Sequence, residues 1–161
     1  AGPYMLQKKI NIDVKDNFIS LSNKLSEIGS DLIIDALSLF KNQKIKFINQ
    51  NEEVATYAPK IEKKESAIEW NESSQKLIAK INGLNPYPGV WFKHKGNKIK
   101  IIKAELSNEQ GIAGEVLTDN LIVGCQDKAI KINVLQKEGR KVLNTKSFLT
   151  GYKISKGEIL Q

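Results

Sequence analysis

The chain has very few of the residues that build metal and redox sites. Its 161 residues include one cysteine, Cys125, and one histidine, His94. One cysteine cannot form an internal disulfide, and the two residues together cannot supply the four ligands of a structural zinc site. Nothing around them indicates a Cys–His catalytic pair. We therefore expect no metal, and we expect Cys125 to be a small buried apolar residue.

Long apolar runs and a signal sequence are also missing. No stretch approaches the roughly 18 apolar residues that a membrane-spanning helix needs, and the N-terminus lacks a basic region followed by an apolar core. Hydrophobic residues form 40% of the chain and charged residues 27%, which is typical of globular proteins. We expect a cytoplasmic protein with no membrane partner. Because the first residue is not methionine, we also expect a processed chain or part of a longer protein.

Arginine is scarce, and the positive charge is unevenly placed. The chain has 24 lysines, one arginine and a formal net charge of +7. Residues 85–161 contain 13 of these cations and 7 acids, whereas residues 1–84 contain 12 cations and 11 acids. Such an imbalance attracts polyanions, and lysine favours phosphate contact over the bidentate reading of bases. The alternative is a lysine-rich solvated surface with no nucleic-acid partner.

The first third of the chain contains one strong helical pattern. Apolar residues recur at steps of three and four from Phe18 onward, which predicts an amphipathic helix of about 24 residues. Asp16 or Asn17 is a suitable N-cap. Alternating apolar residues at 10–14 predict a half-buried strand before the helix. One strand and one helix cannot close a core, so we interpret residues 1–50 as the end of a larger α/β domain.

The remainder divides into a linker and a β-rich domain. Residues 51–66 have many charges and no apolar period, which predicts an extended linker. Residues 67–161 begin with a short helix around Leu77 and continue with short apolar segments bounded by Gly, Asn or Asp. Five such strands within about 50 residues indicate a small closed barrel.

Six segments carry a resemblance to one family. They read Ala-Gly-Pro-Tyr-Met-Leu-Gln at 1–7, Thr-Tyr-Ala-Pro-Lys-Ile at 56–61, Ile-Glu-Trp at 68–70, Leu-Asn-Pro-Tyr-Pro-Gly-Val-Trp at 84–91, Leu-Gln-Lys-Glu-Gly-Arg-Lys at 135–141 and Phe-Leu-Thr-Gly at 148–151. In this order they resemble the methionyl-tRNA formyltransferases over essentially the whole chain. The resemblance implies an α+β chain: the end of a Rossmann-like α/β formyltransferase domain at 1–50, an interdomain linker at 51–66 and a C-terminal OB-like, tRNA-binding β-barrel domain at 67–161.

The resemblance also implies a reaction and its partners. Enzymes of the family transfer a formyl group from 10-formyltetrahydrofolate to the amino group of methionyl-initiator tRNA. By resemblance, their catalytic Asn and His lie well upstream of residue 1, and their Asp directly precedes it. We therefore expect no catalytic, cofactor-binding or metal-binding residue here, and no formyl transfer by this chain alone. The expected partners are initiator tRNA and the catalytic half, with no other protein. His94, beside a predicted turn, is expected to be exposed and structural.

Lysines of the β-rich part are the candidates for tRNA contact. Alternation in the predicted hairpin puts Lys98, Lys100 and the neighbouring Lys95 on the solvent side. The candidates are Lys60, Lys95, Lys98, Lys100, Lys128, Lys131, Arg140, Lys141 and Lys146. Trp91 and Phe92 are adjacent on a strand, so one faces inward and the other outward. Trp91, Phe92 or Tyr87 could stack on a base, although for Trp91, as for Trp70, we favour packing in the core or between domains.

Two other functions are open at this point. A related formyltransferase could act on a sugar nucleotide or another small amine, but such a substrate does not need a strongly basic C-terminal half. A stand-alone RNA-binding module is the second alternative. The helix that starts near Phe18 argues against it, because its apolar face requires a further layer of structure.

Overall fold

The computed structural model describes residues 2–161 and divides the chain into two compact units, the residues up to Lys60 and Ile61–Gln161. The first unit contains one helix, α1, at Phe18–Lys41. Asn17 caps it, because its side chain accepts a hydrogen bond from the Ser20 N–H at 3.0 Å and Ser20 Oγ accepts one from the Asn17 N–H. The predicted 24-residue helix and its cap are confirmed.

The predicted strand before α1 is wrong. Residues 10–14 have no partner strand, and the Ile12 and Val14 side chains are 70% and 85% exposed. The one backbone pairing described for this unit is an isolated antiparallel bridge between Tyr4 and Ile48. Alternation alone does not make a strand, since a strand is stabilised by the ladder it forms with a neighbour.

The second unit is an antiparallel sheet with two helices, so the α+β class is confirmed for the chain. Its elements are α2 (Ser74–Leu84), β1 (Val90–His94), β2 (Asn97–Ser107), β3 (Ile122–Gly124), β4 (Ala129–Lys137), β5 (Val142–Asn144) and α3 (Thr145–Gly151). The strand order is β1-β2-β4-β3. The short β5 pairs with residues 134–136 of β4, further along the same edge that β3 occupies at residues 129–131. Residues 51–66, which include the boundary of the two units, are irregular except for two short 3-10 turns, Glu52–Val54 and Lys63–Ser66.

One hydrophobic core lies between the sheet and the helices of this unit. Leu77 and Ile81 of α2 are fully buried, as are Ile99 and Ile101 of β2. A residue distant in the sequence holds the first turn of α2, because Asp127 Oδ1 accepts a hydrogen bond from the Ser74 N–H at 2.7 Å. Burial of these aliphatic side chains away from water supplies the main stabilisation of the second unit.

The sheet is not closed, so the predicted closed barrel is not confirmed. Its end strands, β1 and β3, do not pair with each other. Irregular main chain lies between them: Val116 forms a bridge with Val123 of β3, and its N–H donates to the Glu158 carbonyl at 2.9 Å. Gln161 then exchanges main-chain hydrogen bonds with Lys93 of β1 in both directions. Residues 114–117 therefore contribute isolated bridges and no continuous strand.

Candidate nucleic-acid interface

The outward side of the hairpin formed by β1 and β2 carries three lysines and a tryptophan. Buried and accessible positions alternate along β1, which turns Trp91 and Lys93 away from the core. On β2 the isoleucines on either side of Lys100 are fully buried, so Lys98 and Lys100 lie on the outward side, as predicted. The antiparallel register sets Trp91 opposite Lys100 and Lys93 opposite Lys98. We call these four residues the basic face.

Lys98 is held by an aromatic ring and not by an acid. Its Nζ lies 4.2 Å from the centroid of the Trp91 ring, which is a cation–π contact. Lys93 faces it across the two strands, and like charges in that position repel each other. Within residues 2–161, none of Lys93, Lys98 and Lys100 forms an ion pair. The basic face therefore keeps its positive charge for a ligand.

Two further candidates lie at the same end of the sheet. Arg140 and Lys141 are exposed in the turn between β4 and β5. Gln136 of β4 is the cross-strand neighbour of Lys100, and its Nε2 donates to the main-chain oxygen of Arg140 at 2.7 Å. This hydrogen bond fastens the turn beside the basic face.

The candidates at the start of β4 have partners of their own. Lys131 Nζ lies 3.0 Å from Glu105 Oε1, and its hydrogen bond holds the pKa of the Glu105 carboxyl below its usual value. Lys128 Nζ lies 3.4 Å from Asn108 Oδ1. Exposed ion pairs are weak, but the Glu105 carboxylate offsets the charge that Lys131 presents to a polyanion, whereas the neutral Asn108 amide only orients Lys128.

The remaining candidates are scattered. Lys95, in the hairpin turn, pairs with Glu158 at 3.2 Å. Lys146 lies in the first turn of α3 and lines a shallow groove together with Lys131. Lys60 is exposed and belongs to the first unit. The structure thus gathers four of the nine candidates, Lys98, Lys100, Arg140 and Lys141, and sequence reasoning missed Lys93, although alternation in β1 could have found it.

His94 is buried, and the prediction of an exposed turn residue is wrong. The residue is 6% exposed, with Nε2 2.5 Å from Glu158 Oε2 and Nδ1 3.1 Å from Tyr152 Oη. The Tyr152 hydroxyl also donates to the His94 carbonyl at 2.8 Å. The hydrogen bond from His94 lowers the pKa of Glu158. His94 lies at one of the buried positions that alternate along β1. Its side-chain hydrogen bonds connect the hairpin to Tyr152 and Glu158.

Other chemistry-bearing groups are few. Cys125 is buried, as predicted, and burial raises the pKa of its thiol to about 11, so the nucleophilic thiolate is disfavoured at neutral pH. Across residues 2–161, no cluster of three or more His, Cys, Asp or Glu side chains is arranged to hold a metal ion. In the same part of the chain, no helix combines the length and apolarity required to span a membrane.

More than half of the chain matches one known protein family. Residues 60–153 match the family described as the formyl transferase C-terminal domain. The chain belongs to this family. The match begins just before the second unit and includes the whole basic face and the turn that carries Arg140.

Curated relatives of this family member are named methionyl-tRNA formyltransferases. The one from Pelagibacter ubique is 41% identical over 158 residues, covering 98% of this chain and 51% of the relative. The one from Thermodesulfovibrio yellowstonii is 36% identical over 159 residues, covering 98% of this chain and 51% of the relative. The resemblance to methionyl-tRNA formyltransferases is confirmed, and the chain spans about half the length of the curated relatives it matches.

Solved structures with a similar fold include HypX from Aquifex aeolicus. A variant of that protein superposes with a TM-score of 0.66 at 20% identity, covering 94% of this chain and 31% of HypX. A HypX structure described as a complex with tetrahydrofolic acid gives a TM-score of 0.59 at 20% identity, covering 81% of this chain and 26% of HypX. At this identity the likeness concerns the fold alone.

Proposed function

We propose that this chain is the tRNA-contacting part of a methionyl-tRNA formyltransferase. The whole enzyme transfers a formyl group from 10-formyltetrahydrofolate to methionyl-initiator tRNA, in the cytoplasm. The observation that carries the proposal is the basic face, where three lysines without acidic partners share one side of a hairpin in a member of this family. Such a surface binds phosphates, and its affinity is largely electrostatic. The two alternative functions are not better supported by the relatives.

We also propose the finer domain organisation that the resemblance implies. Residues 1–50 form the end of a Rossmann-like catalytic domain, residues 51–66 the linker, and residues 67–161 an OB-like barrel. Support for the barrel comes from the main-chain hydrogen bonds that run from β3 through Val116 and Glu158 to the Lys93–Gln161 pair. The catalytic residues lie in the other half of the enzyme, so this chain supplies binding and no chemistry.

The salt dependence of tRNA binding tests the proposal. We expect the chain to bind initiator tRNA weakly, with a dissociation constant of about 10⁻⁴–10⁻⁶ M at physiological salt. Each phosphate contact contributes about 0.7–0.9 to the slope of log affinity against log salt. Replacing both Lys98 and Lys100 with alanine therefore lowers the magnitude of the slope by about 1.5. Incubation of the same chain with methionyl-tRNA and 10-formyltetrahydrofolate yields no formylated product above background.

A matched double variant at the other end of the sheet is the control. Lys128→Ala combined with Lys131→Ala removes the same charge, but both lysines have local partners, so we expect a smaller change in slope. Equal effects of the two double variants would show that net charge alone matters. Absence of tRNA binding at low salt would exclude the proposed function.

A further inference from the structure

Trp91 and Trp70, the two tryptophans of the chain, lie in different environments. Trp70 is buried in the core and packs against Phe92 with ring centroids 6.0 Å apart. Trp91 lies on the outward side of β1, is only partly buried, and has the Lys98 ammonium against its ring. The chain thus places a large π surface among unpaired lysines and covers it with one flexible cation.

The contact between Lys98 and Trp91 is easily exchanged. At an accessible site a cation–π contact is weaker than the charge-assisted contact of an ammonium with a phosphate. Lys93, directly opposite Lys98, adds a repulsion that a bound phosphate would relieve. A nucleotide phosphate therefore draws the Lys98 ammonium away from the indole, and the ring then loses its cover.

We infer that Trp91 and Lys98 together form a site for one unpaired nucleotide of an RNA, in which the Lys98 ammonium moves from the indole to a phosphate and the base stacks on the exposed ring. This inference rests on the proposed function and names the kind of tRNA segment that the basic face binds. A base inside a duplex is covered by its neighbours, whereas an unpaired base offers its face to an aromatic side chain. Lys93 and Lys100 flank the site and hold the adjoining phosphates.

Fluorescence of the full chain separates stacking from charge. The probe is a short oligouridylate, whose bases stack little on one another, and the reference ligand is inorganic polyphosphate of equal charge, which has no bases. We expect oligouridylate to quench the part of the emission that comes from Trp91, and polyphosphate to bind without quenching. Trp91→Phe abolishes the quenching, because the remaining tryptophan, Trp70, is buried.

Affinity measurements on variants complete the test. Trp91→Ala weakens oligouridylate binding by about tenfold and leaves polyphosphate binding within about twofold, since base–aromatic stacking alone is lost. Trp91→Phe retains most of the affinity. Lys98→Ala weakens the binding of both ligands. Tyr57→Ala, at an aromatic residue that is 94% exposed in the first unit, is the matched control and changes neither.

The outcomes distinguish this inference from the proposed function. If the chain binds tRNA with the expected loss for the Lys98 and Lys100 double variant, but Trp91→Ala leaves oligouridylate affinity unchanged, the nucleotide site is wrong and the proposed function stands. Equal quenching by polyphosphate and oligouridylate would also overturn the site, since it would show that negative charge alone, without a stacked base, accounts for the quenching. If the chain binds neither tRNA nor oligouridylate, both are overturned.

Discussion

Both units of the chain carry periodic apolar patterns, but the described core lies in the second unit alone. In Ile61–Gln161, the apolar residues of α2 and of the sheet enter one core. In the residues up to Lys60, α1 is longer and well capped, yet none of its residues is buried. Periodicity and capping give α1 its bounds, whereas a core requires a second layer that the helix can cover.

The largest predicted change in stability comes from removing a phenylalanine ring from the core of the second unit, compared with removing one from α1. Phe92 in β1 is 1% exposed and Phe40 in α1 is 68% exposed. Phe92→Ala removes a close-packed ring and is expected to lower the free energy of unfolding of the second unit by about 3–5 kcal/mol. Phe40→Ala removes the same atoms from a solvated position and changes stability by about 0.5 kcal/mol or less.

Urea denaturation followed by tryptophan emission measures the first of these effects directly, because both tryptophans lie in the second unit. Circular dichroism at the helical band follows α1 in parallel. A similar loss of stability for the two variants would mean that the apolar side of α1 is packed in solution.

Alanine substitutions at two glycines, one in each unit, are expected to change stability by smaller amounts and in opposite directions. A Cβ built on Gly124 of β3 lies 2.3 Å from the Ile112 carbonyl oxygen, a main-chain atom, whereas one built on Gly29 in α1 meets nothing within 4 Å. We expect Gly124→Ala to destabilise the second unit by about 1–3 kcal/mol through overpacking. Gly29→Ala is expected to stabilise α1 by up to about 1 kcal/mol, since alanine loses less backbone freedom on folding. Thermal melts recorded at the helical band and by tryptophan emission separate the two; a stabilising Gly124→Ala would contradict the packing described.

The smallest effect concerns acid. Asp16 accepts hydrogen bonds from Lys24 Nζ at 2.6 Å, from the Asp13 N–H and from Ser20 Oγ, and these lower its pKa from 3.8 to about 2. Because the folded-state pKa is depressed, its contribution to the start of α1 is complete above about pH 4 and is lost as the pH falls through about 2. NMR titration of the Asp16 carboxyl should give a midpoint near 2. Lys24→Ala should move that midpoint upward, and an unchanged midpoint would show that the ion pair does not form in solution.

Much of this architecture was predictable where the determinants are local. The α1 pattern and its cap lie within one stretch of chain, and alternation in the hairpin correctly placed Lys98 and Lys100 outward. The strand at residues 10–14 failed because its stability depends on a partner strand. The strand β5 was missed because its three residues are all exposed and show no alternation; β4 alone defines it by pairing.

The site was harder to predict because its electrostatics depend on register. Nothing local to Lys131 shows that Glu105 stands opposite it, since the pairing comes from the alignment of β2 with β4. His94 was misplaced for a related reason: its partner Glu158 lies 64 positions further along the chain. The alternation of Val90, Phe92 and His94 did contain the answer, because it assigns all three to one side of the strand.

The pairing of Gln161 with β1 has a consequence for association between chains. β1 ends the strand order, and an exposed end strand is a template on which another chain can add a strand and start aggregation. Here the Trp91 carbonyl accepts from the Ile68 N–H at 2.8 Å, and both main-chain groups of Lys93 are engaged by Gln161. These main-chain groups of β1 are therefore not available to a strand from another chain. Recognition of a ligand on this part of the sheet then depends on the side chains that project from it.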